Sequence, residues 1–347
     1  MLILYIMLLL GGIFLLIKGS DIFVDASVKI AKLLKVSEIL IGMTLVCFGT
    51  SLPELFVSVN GSIKGTSDLV IGNMVGTNIF NICAILGIIS IIHPIRLLKD
   101  TVRKDMYMSL VTGVLFLLVT LDTFGTNLIE NIISRTDGAI LLIMFVIFMY
   151  YNLYHYASFT KTTREKRLIK KKIKSGEQVE VPKSKLTKKQ KRDFVESIML
   201  CIVGGILVYV GSECVLNGAV GFARLIGVSE TLVAILIIAV GTSLPEIATS
   251  ITALKKRRTN IAVGNLIGSN MYNMLFVVGV SSVVNPLKVV TNAIWIDIVV
   301  FVLITIVLIL FTKIRYIKKG TYELSRLEGI VLVVIYIGYA AYVVYRG

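Results

Sequence analysis

Gly49-Thr50-Ser51-Leu52-Pro53-Glu54 occurs twice in this chain. The same six residues return as Gly241-Thr242-Ser243-Leu244-Pro245-Glu246, 192 positions later. The offset holds beyond the hexapeptide. Asn73, Asn78 and Asn81 return as Asn265, Asn270 and Asn273, and Gly72 and Gly76 return as Gly264 and Gly268. Gly19-Ser20-Asp21 is matched by Gly211-Ser212-Glu213, and Ser37-Glu38 by Ser229-Glu230. Each copy sets an acidic residue inside an apolar stretch, and this duplication decides the architecture.

The apolar stretches belong to a membrane. Mean hydropathy is +0.87 and 56% of residues are hydrophobic, and a helix crosses a bilayer in about 20 residues. Ten apolar spans follow, at 2–24, 37–62, 69–92, 105–121, 137–153, 194–217, 229–254, 261–284, 293–312 and 326–345. The fold class is therefore an all-α membrane protein with ten transmembrane helices. The N-terminus is apolar from Met1 and has no basic region before it, so it reads as the first span rather than a cleaved signal peptide. Cys47, Cys83, Cys201 and Cys214 lie in apolar runs without metal-ligand spacing and read as small packing residues. In a soluble protein the net charge of +15 would suggest nucleic acid. Here it sits in loops, topology accounts for it, and no nucleic-acid partner is expected.

Loop charge sets the orientation. With the N-terminus outside, the inner loops are 25–36, 93–104, 154–193, 255–260 and 313–325, and each is rich in Lys and Arg. The outer loops carry only scattered bases at Lys64, Arg135, Arg224 and Lys288. The positive-inside bias places both termini outside. Residues 154–193, with Lys170-Lys171-Lys172 and Lys188-Lys189, form a basic cytoplasmic linker. That linker reads as a solvated connector, or as a segment drawn to anionic lipid. It separates a first five-helix repeat, 1–153, from a second, 194–347. Five is odd, so the second repeat enters the membrane upside down. Inverted-topology repeats are an architecture of secondary transporters, with sites near the midplane where the repeats meet.

The repeated stretch offers hard oxygen donors. An acid at the centre of a membrane helix costs about 2.5–3.5 kcal/mol, so Glu54 and Glu246 require a charge partner, and no basic residue lies in either span. Pro53 lacks an N–H and frees a helical carbonyl at Gly49. Thr50 and Ser51 add hydroxyls within a turn of Glu54. In the next span Asn73, Thr77 and Asn81 are spaced by four and share a helix face. Asn265, Ser269 and Asn273 do the same in the second copy. Carboxylates, hydroxyls, amides and carbonyls suit calcium or sodium and suit soft transition metals poorly. Gly72 and Gly76 would let another helix approach closely.

Gly-Thr-Ser-Leu-Pro-Glu followed by Gly-Asn-x-x-Gly-[Thr/Ser]-Asn-x-x-Asn, twice, resembles the alpha repeats of the sodium/calcium exchangers. The match is to the cation/calcium antiporter superfamily, most closely its prokaryotic ten-helix members, and it covers all ten spans. The resemblance implies antiport by alternating access, with calcium and sodium as transported ions, no cofactor and no enzymatic activity. It implies Glu54 and Glu246 as central calcium carboxylates, with backbone carbonyls from Thr50 and Thr242. It implies Ser51, Thr77, Ser243 and Ser269 in flanking sodium sites, Asn81 and Asn273 completing the centre, and the first and sixth spans as sliding gates. Some relatives carry Asp where this chain has Asn273, and that acid goes with potassium dependence. The neutral residue weakens the case for potassium here. Thr77 in place of Ser is a smaller departure. The short central linker leaves no room for the calcium-sensing domains of animal exchangers.

Two other readings use the same residues. A proton-coupled calcium antiporter could protonate Glu54 or Glu246 in place of binding sodium, although the many neutral oxygens favour an ion that needs several ligands. A passive cation channel is the alternative from a different class. An intramembrane enzyme is disfavoured, because His93 and His155 sit at span ends and no nucleophile–base pair shares a face.

Overall fold

The computed structural model describes residues 2–120, 131–157, 187–225, 239–289 and 292–346. Helix α1, Leu2–Leu34, opens the chain. The second span is broken into α2, Glu38–Thr50, and α3, Leu52–Ile63, bent by 49°. Then come α4, Ser67–Ile92, α5, Met106–Thr120, and α6, Arg135–Ala157. The second half has α7, Lys188–Leu225, then α8, Ala239–Thr242, broken from α9, Leu244–Lys255. It closes with α10, Thr259–Val284, α11, Asn292–Lys319, and α12, Arg326–Arg346. The described elements run in the order of the ten spans, the second and seventh each being a broken helix.

Two spans outrun their expected ends. Helix α1 continues to Leu34, so Lys29 and Lys32, expected in a loop, project from its last turns. Helix α7 starts at Lys188 rather than 194 and runs to Leu225. Hydropathy marks only the apolar part of a helix. Hydrogen bonding continues past it while side chains such as Val28, Ile30 and Ala31 still bury one face. Most of the 154–193 linker and residues 229–238 of the seventh span lie outside the described residues.

Helices α1 and α7 pack along each other over most of their length. The buried face of α1 carries Gly12, Leu16, Gly19 and Phe23, spaced by four, three and four, while Leu10, Ile13, Phe14 and Ile17 point outward. The backbones come close at two glycine pairs. A Cβ on Gly12 would lie 2.8 Å from the Gly211 carbonyl oxygen, and one on Gly19 would lie 2.7 Å from the Val208 nitrogen, beside Gly204. Gly204 and Gly211 are the repeat mates of Gly12 and Gly19, so this contact is two-fold symmetric. Without water to drive association, such close approach of small residues supplies the packing.

The other helices surround α4 and α10. Their core includes Ile71, Met74, Ile79, Met271 and Met274. At Gly264 and Gly268 the backbone of α2 comes so near that added Cβ atoms would lie 2.5 Å from the Ile39 oxygen and 2.7 Å from the Met43 Cα. At Gly72 and Gly76 nothing among the described residues lies within 4 Å, and the repeat mates of Ile39 and Met43, residues 231 and 235, lie outside the described residues.

Four short strands join the all-α frame. β1, Ile95–Arg96, pairs antiparallel with β4, Glu323–Leu324. β2, Asn131–Ile133, pairs with β3, Leu287–Val289. Each clasp joins one repeat to the other, and β3 is the mate of β1 as β4 is of β2. Helices α6 and α12 start in the same way. The backbone N–H and hydroxyl of Ser134 donate to Asp137 Oδ2, and those of Ser325 donate to Glu328 Oε2. A serine with an acid three residues on caps the helix start.

Candidate functional site

Both signature copies break their helix at the same residue. Ser51 has φ −92° and ψ 15°, and Ser243 has φ −87° and ψ 5°. Leu55 N–H donates to the Ser51 carbonyl and Ile247 N–H to the Ser243 carbonyl. Proline is tolerated in a first helical turn, where no N–H partner is needed, and Pro53 and Pro245 each fall there. The break thus sits at Ser51, just after the Gly49-Thr50 segment whose carbonyls the sequence singled out. It also creates a helix N-terminus deep in the protein. Glu54 and Glu246 lie in those first turns, where the helix dipole favours negative charge.

Both glutamates are fully buried. Among the described residues neither oxygen of Glu54 has a hydrogen-bond partner, and Glu246 Oε2 has none. Ser51 donates to Glu246 Oε1 across the repeat boundary at 2.9 Å. Ser269 Oγ lies 3.0 Å from Ser51 Oγ and 3.5 Å from the same carboxylate oxygen. Thr50 donates to Asn265 Oδ1 at 3.1 Å, and Asn265 donates to Ser250 at 3.3 Å. Thr242 is buried at the end of α8. Thr77 Oγ1 and Ser243 Oγ are buried without partners among the described residues.

The asparagines divide their labour. Asn81 donates to Asn270 Oδ1 at 3.0 Å and Asn273 donates to Asn78 Oδ1 at 3.1 Å. This symmetric exchange ties α4 to α10. It uses one amide hydrogen each of Asn81 and Asn273 and leaves their Oδ1 atoms buried and, among the described residues, unpartnered. At these residues the helices widen into π turns, Asn81–Ile85 and Tyr272–Val277, a form common at functional positions.

Hydrogen bonds thus join Thr50, Ser51 and Glu246 to Asn265 and Ser269, and Asn81 and Asn273 to the α4–α10 lock, while Glu54, Thr77, Thr242 and Ser243 are buried on α3, on α4, on α8 and at the second break. Sequence reasoning missed Ser58 and Thr249, whose buried hydroxyls also lack partners. Ser58 lies one turn beyond Glu54, a spacing that signals a shared face. It also missed the locking role of Asn78 and Asn270, although both stood out as repeat-matched.

A buried carboxylate without a partner is expensive. Here unpartnered oxygens from Glu54, Glu246, Ser58, Thr77, Asn81, Ser243, Thr249 and Asn273 accompany one another. Among the described residues no group of three His, Cys, Asp or Glu could hold a metal. The donor set is two carboxylates and neutral oxygens, which fits a hard cation.

Two inverted repeats with paired broken helices and opposed buried acids define a secondary transporter, not an enzyme. The family described as sodium/calcium exchanger protein matches residues 4–154 and 196–345. The chain belongs to that family. It is 30% identical over 356 residues to sodium/calcium exchanger MaX1 of Methanosarcina acetivorans, covering 98% of each chain. It is 31% identical over 331 residues to putative antiporter CaxA of Alkalimonas amylolytica, covering 95% of each. Among solved structures, the sodium-calcium exchanger NCX_Mj soaked with 100 mM Na+ and 10 mM Sr2+ superposes with a TM-score of 0.77 at 29% identity, covering 98% of this chain and 99% of that one.

Proposed function

We propose that this chain exchanges sodium for calcium across the membrane by alternating access at the paired glutamates. The observation that carries the reading is the set of buried oxygens without partners around Glu54 and Glu246. Two carboxylates match the charge of one calcium ion. Thr50 and Thr242 contribute backbone carbonyls beside them. Ser51, Thr77, Ser243 and Ser269 provide flanking sodium ligands, and Asn81 and Asn273 face the centre through their amide oxygens. Sodium needs several oxygen ligands and a proton needs one. The neutral oxygens therefore favour sodium as the coupling ion, and the neutral Asn273 gives potassium no third acid.

The two repeats are 1–153 and 194–347, joined by a cytoplasmic linker at 154–193. Both termini face outward. The clasp of β1 with β4 joins loops 93–104 and 313–325, both of them basic. The clasp of β2 with β3 joins two loops poor in base, and this sorting supports the orientation.

The test is calcium uptake into proteoliposomes loaded with sodium. Uptake should require an outward sodium gradient and should persist when a proton gradient is collapsed. Uptake that follows an imposed pH gradient would move the same site to proton coupling. Uptake indifferent to both gradients would leave a passive channel.

A further inference from the structure

Inverted repeats let one structure report two states. In a symmetric bundle each contact has a mate 192 residues away, and a contact whose mate is absent marks where the molecule has moved off symmetry. The α1–α7 contact itself is symmetric, since Gly12 meets Gly211 as Gly19 meets Gly204. The contacts of this helix pair with the rest of the protein are not.

Three asymmetries agree. Lys256, which caps the C-terminus of α9, reaches α1. Its Nζ lies 2.9 Å from Asp25 Oδ2 and 3.2 Å from Asp21 Oδ1, and it donates to the Asp21 carbonyl at 2.9 Å. The mate of Lys256 is Lys64, which caps α3. The Lys64 side chain is exposed and makes no hydrogen bond or ion pair among the described residues. The mate of Asp21 is Glu213. The mate of Asp25 is Asn217, which donates to the Glu213 carbonyl within its own helix at 2.8 Å. Next, Ser212 of α7 donates to the Gly241 carbonyl at the second broken helix, 3.2 Å away. Its mate Ser20 turns back to the Leu16 carbonyl of its own helix and leaves Gly49 alone. Finally, α1 packs along α9, while α7 makes no comparable contact along α3. A cleft of about 320 Å³ opens instead, with Leu52 and Phe56 on one wall and Ile206 and Tyr209 on the other.

We propose that Lys256 with Asp21 and Asp25, and Lys64 with Glu213, are alternating charge latches that hold the α1–α7 pair at either end of its travel. In the structure the Lys256 latch is closed and the Lys64 latch is open. Moving the symmetric pair as one body exchanges the two arrangements. Lys256 then releases α1, α7 closes the cleft against α3, Lys64 meets Glu213, and Ser20 takes the Gly49 carbonyl. Exposed ion pairs are weak, which suits contacts that open in every cycle. The Lys256 latch has two acids and the Lys64 latch has one. The proposal rests on alternating access but on no particular ion.

Cross-linking tests it without reference to flux. Two variants are made in a Cys214→Ser background, the remaining native cysteines being buried. One carries Asp21→Cys with Lys256→Cys, and the other carries Lys64→Cys with Glu213→Cys. Each pair should cross-link with a short bifunctional thiol reagent. In a protein carrying both pairs, closing one should abolish closure of the other. Adding Lys256→Gln to the Lys64/Glu213 cysteine variant should raise its yield. The proposal is overturned if the Lys64/Glu213 pair never cross-links while the Asp21/Lys256 pair does. It is equally overturned if both pairs close on the same molecules, or if Lys256→Gln leaves the distant yield unchanged. Because the readout is proximity, loss of calcium uptake with intact exclusive cross-linking would reject the ion assignment and keep the latches.

Discussion

Glu54 and Glu246 hold the same address in two repeats and differ in company. Glu246 is steadied by Ser51, whereas both oxygens of Glu54 are unpartnered. Glu54→Gln and Glu246→Gln keep the shape and remove half the charge that faces a divalent ion. Each should lower sodium-driven calcium uptake at least about tenfold, a loss of about 1.4 kcal/mol or more. Uptake into proteoliposomes at matched protein content measures this, and wild-type flux in either variant would reject the assignment. Ser51→Ala takes a hydrogen bond from Glu246 but adds no bulk. A hydrogen bond to a charged group contributes about 1.5–3 kcal/mol, so this variant should weaken ion affinity more than maximal flux, read as a shift in half-saturating sodium or calcium.

At the scale of elements, the broken helices and the glycine-faced pair serve different ends. The breaks at Ser51 and Ser243 bring helix N-termini, free carbonyls and acids to one depth. The glycines of α1 and α7 bring two long helices close enough to act as one. A Cβ on Gly204 would sit 2.7 Å from the Phe23 nitrogen, and backbone cannot swing aside as a flexible side chain can. Gly204→Val should therefore cost about 1–3 kcal/mol. This would appear as a lower melting temperature in detergent. Gly338→Val on α12, where nothing lies within 4 Å, should leave melting unchanged.

For the molecule as a whole, orientation and the two clasps belong together. The clasps join loops from opposite repeats on each side, so the bundle is stapled at both faces while α1 and α7 pack outside the clasped helices. On the proposed orientation, a cysteine added at either end should react with a membrane-impermeant maleimide in intact cells. A cysteine placed in 158–186 should react only after the membrane is opened. The reverse pattern would invert the topology and leave the site unchanged.

Much of this was legible in the sequence for a physical reason. Hydropathy is additive along the chain, a buried acid is costly wherever it lies, and a 192-residue repeat with an odd number of spans can only be inverted. Ten spans, paired glutamates and their oxygen-rich neighbours followed from those facts. Other features depended on atoms far apart in sequence. The helix ends of α1 and α7 run past the apolar stretches because backbone hydrogen bonding does not stop where hydropathy does. The strand clasps are two or three residues long, too short for a period to show. The oxygens of Asn81 and Asn273 are left unpartnered among the described residues, while their amide nitrogens donate to Asn270 and Asn78. Which latch is closed is not written in the sequence, because the repeat supplies a lysine and at least one acid for each. Only tertiary structure selects one of them, because the α1–α7 pair can occupy just one end of its travel at a time.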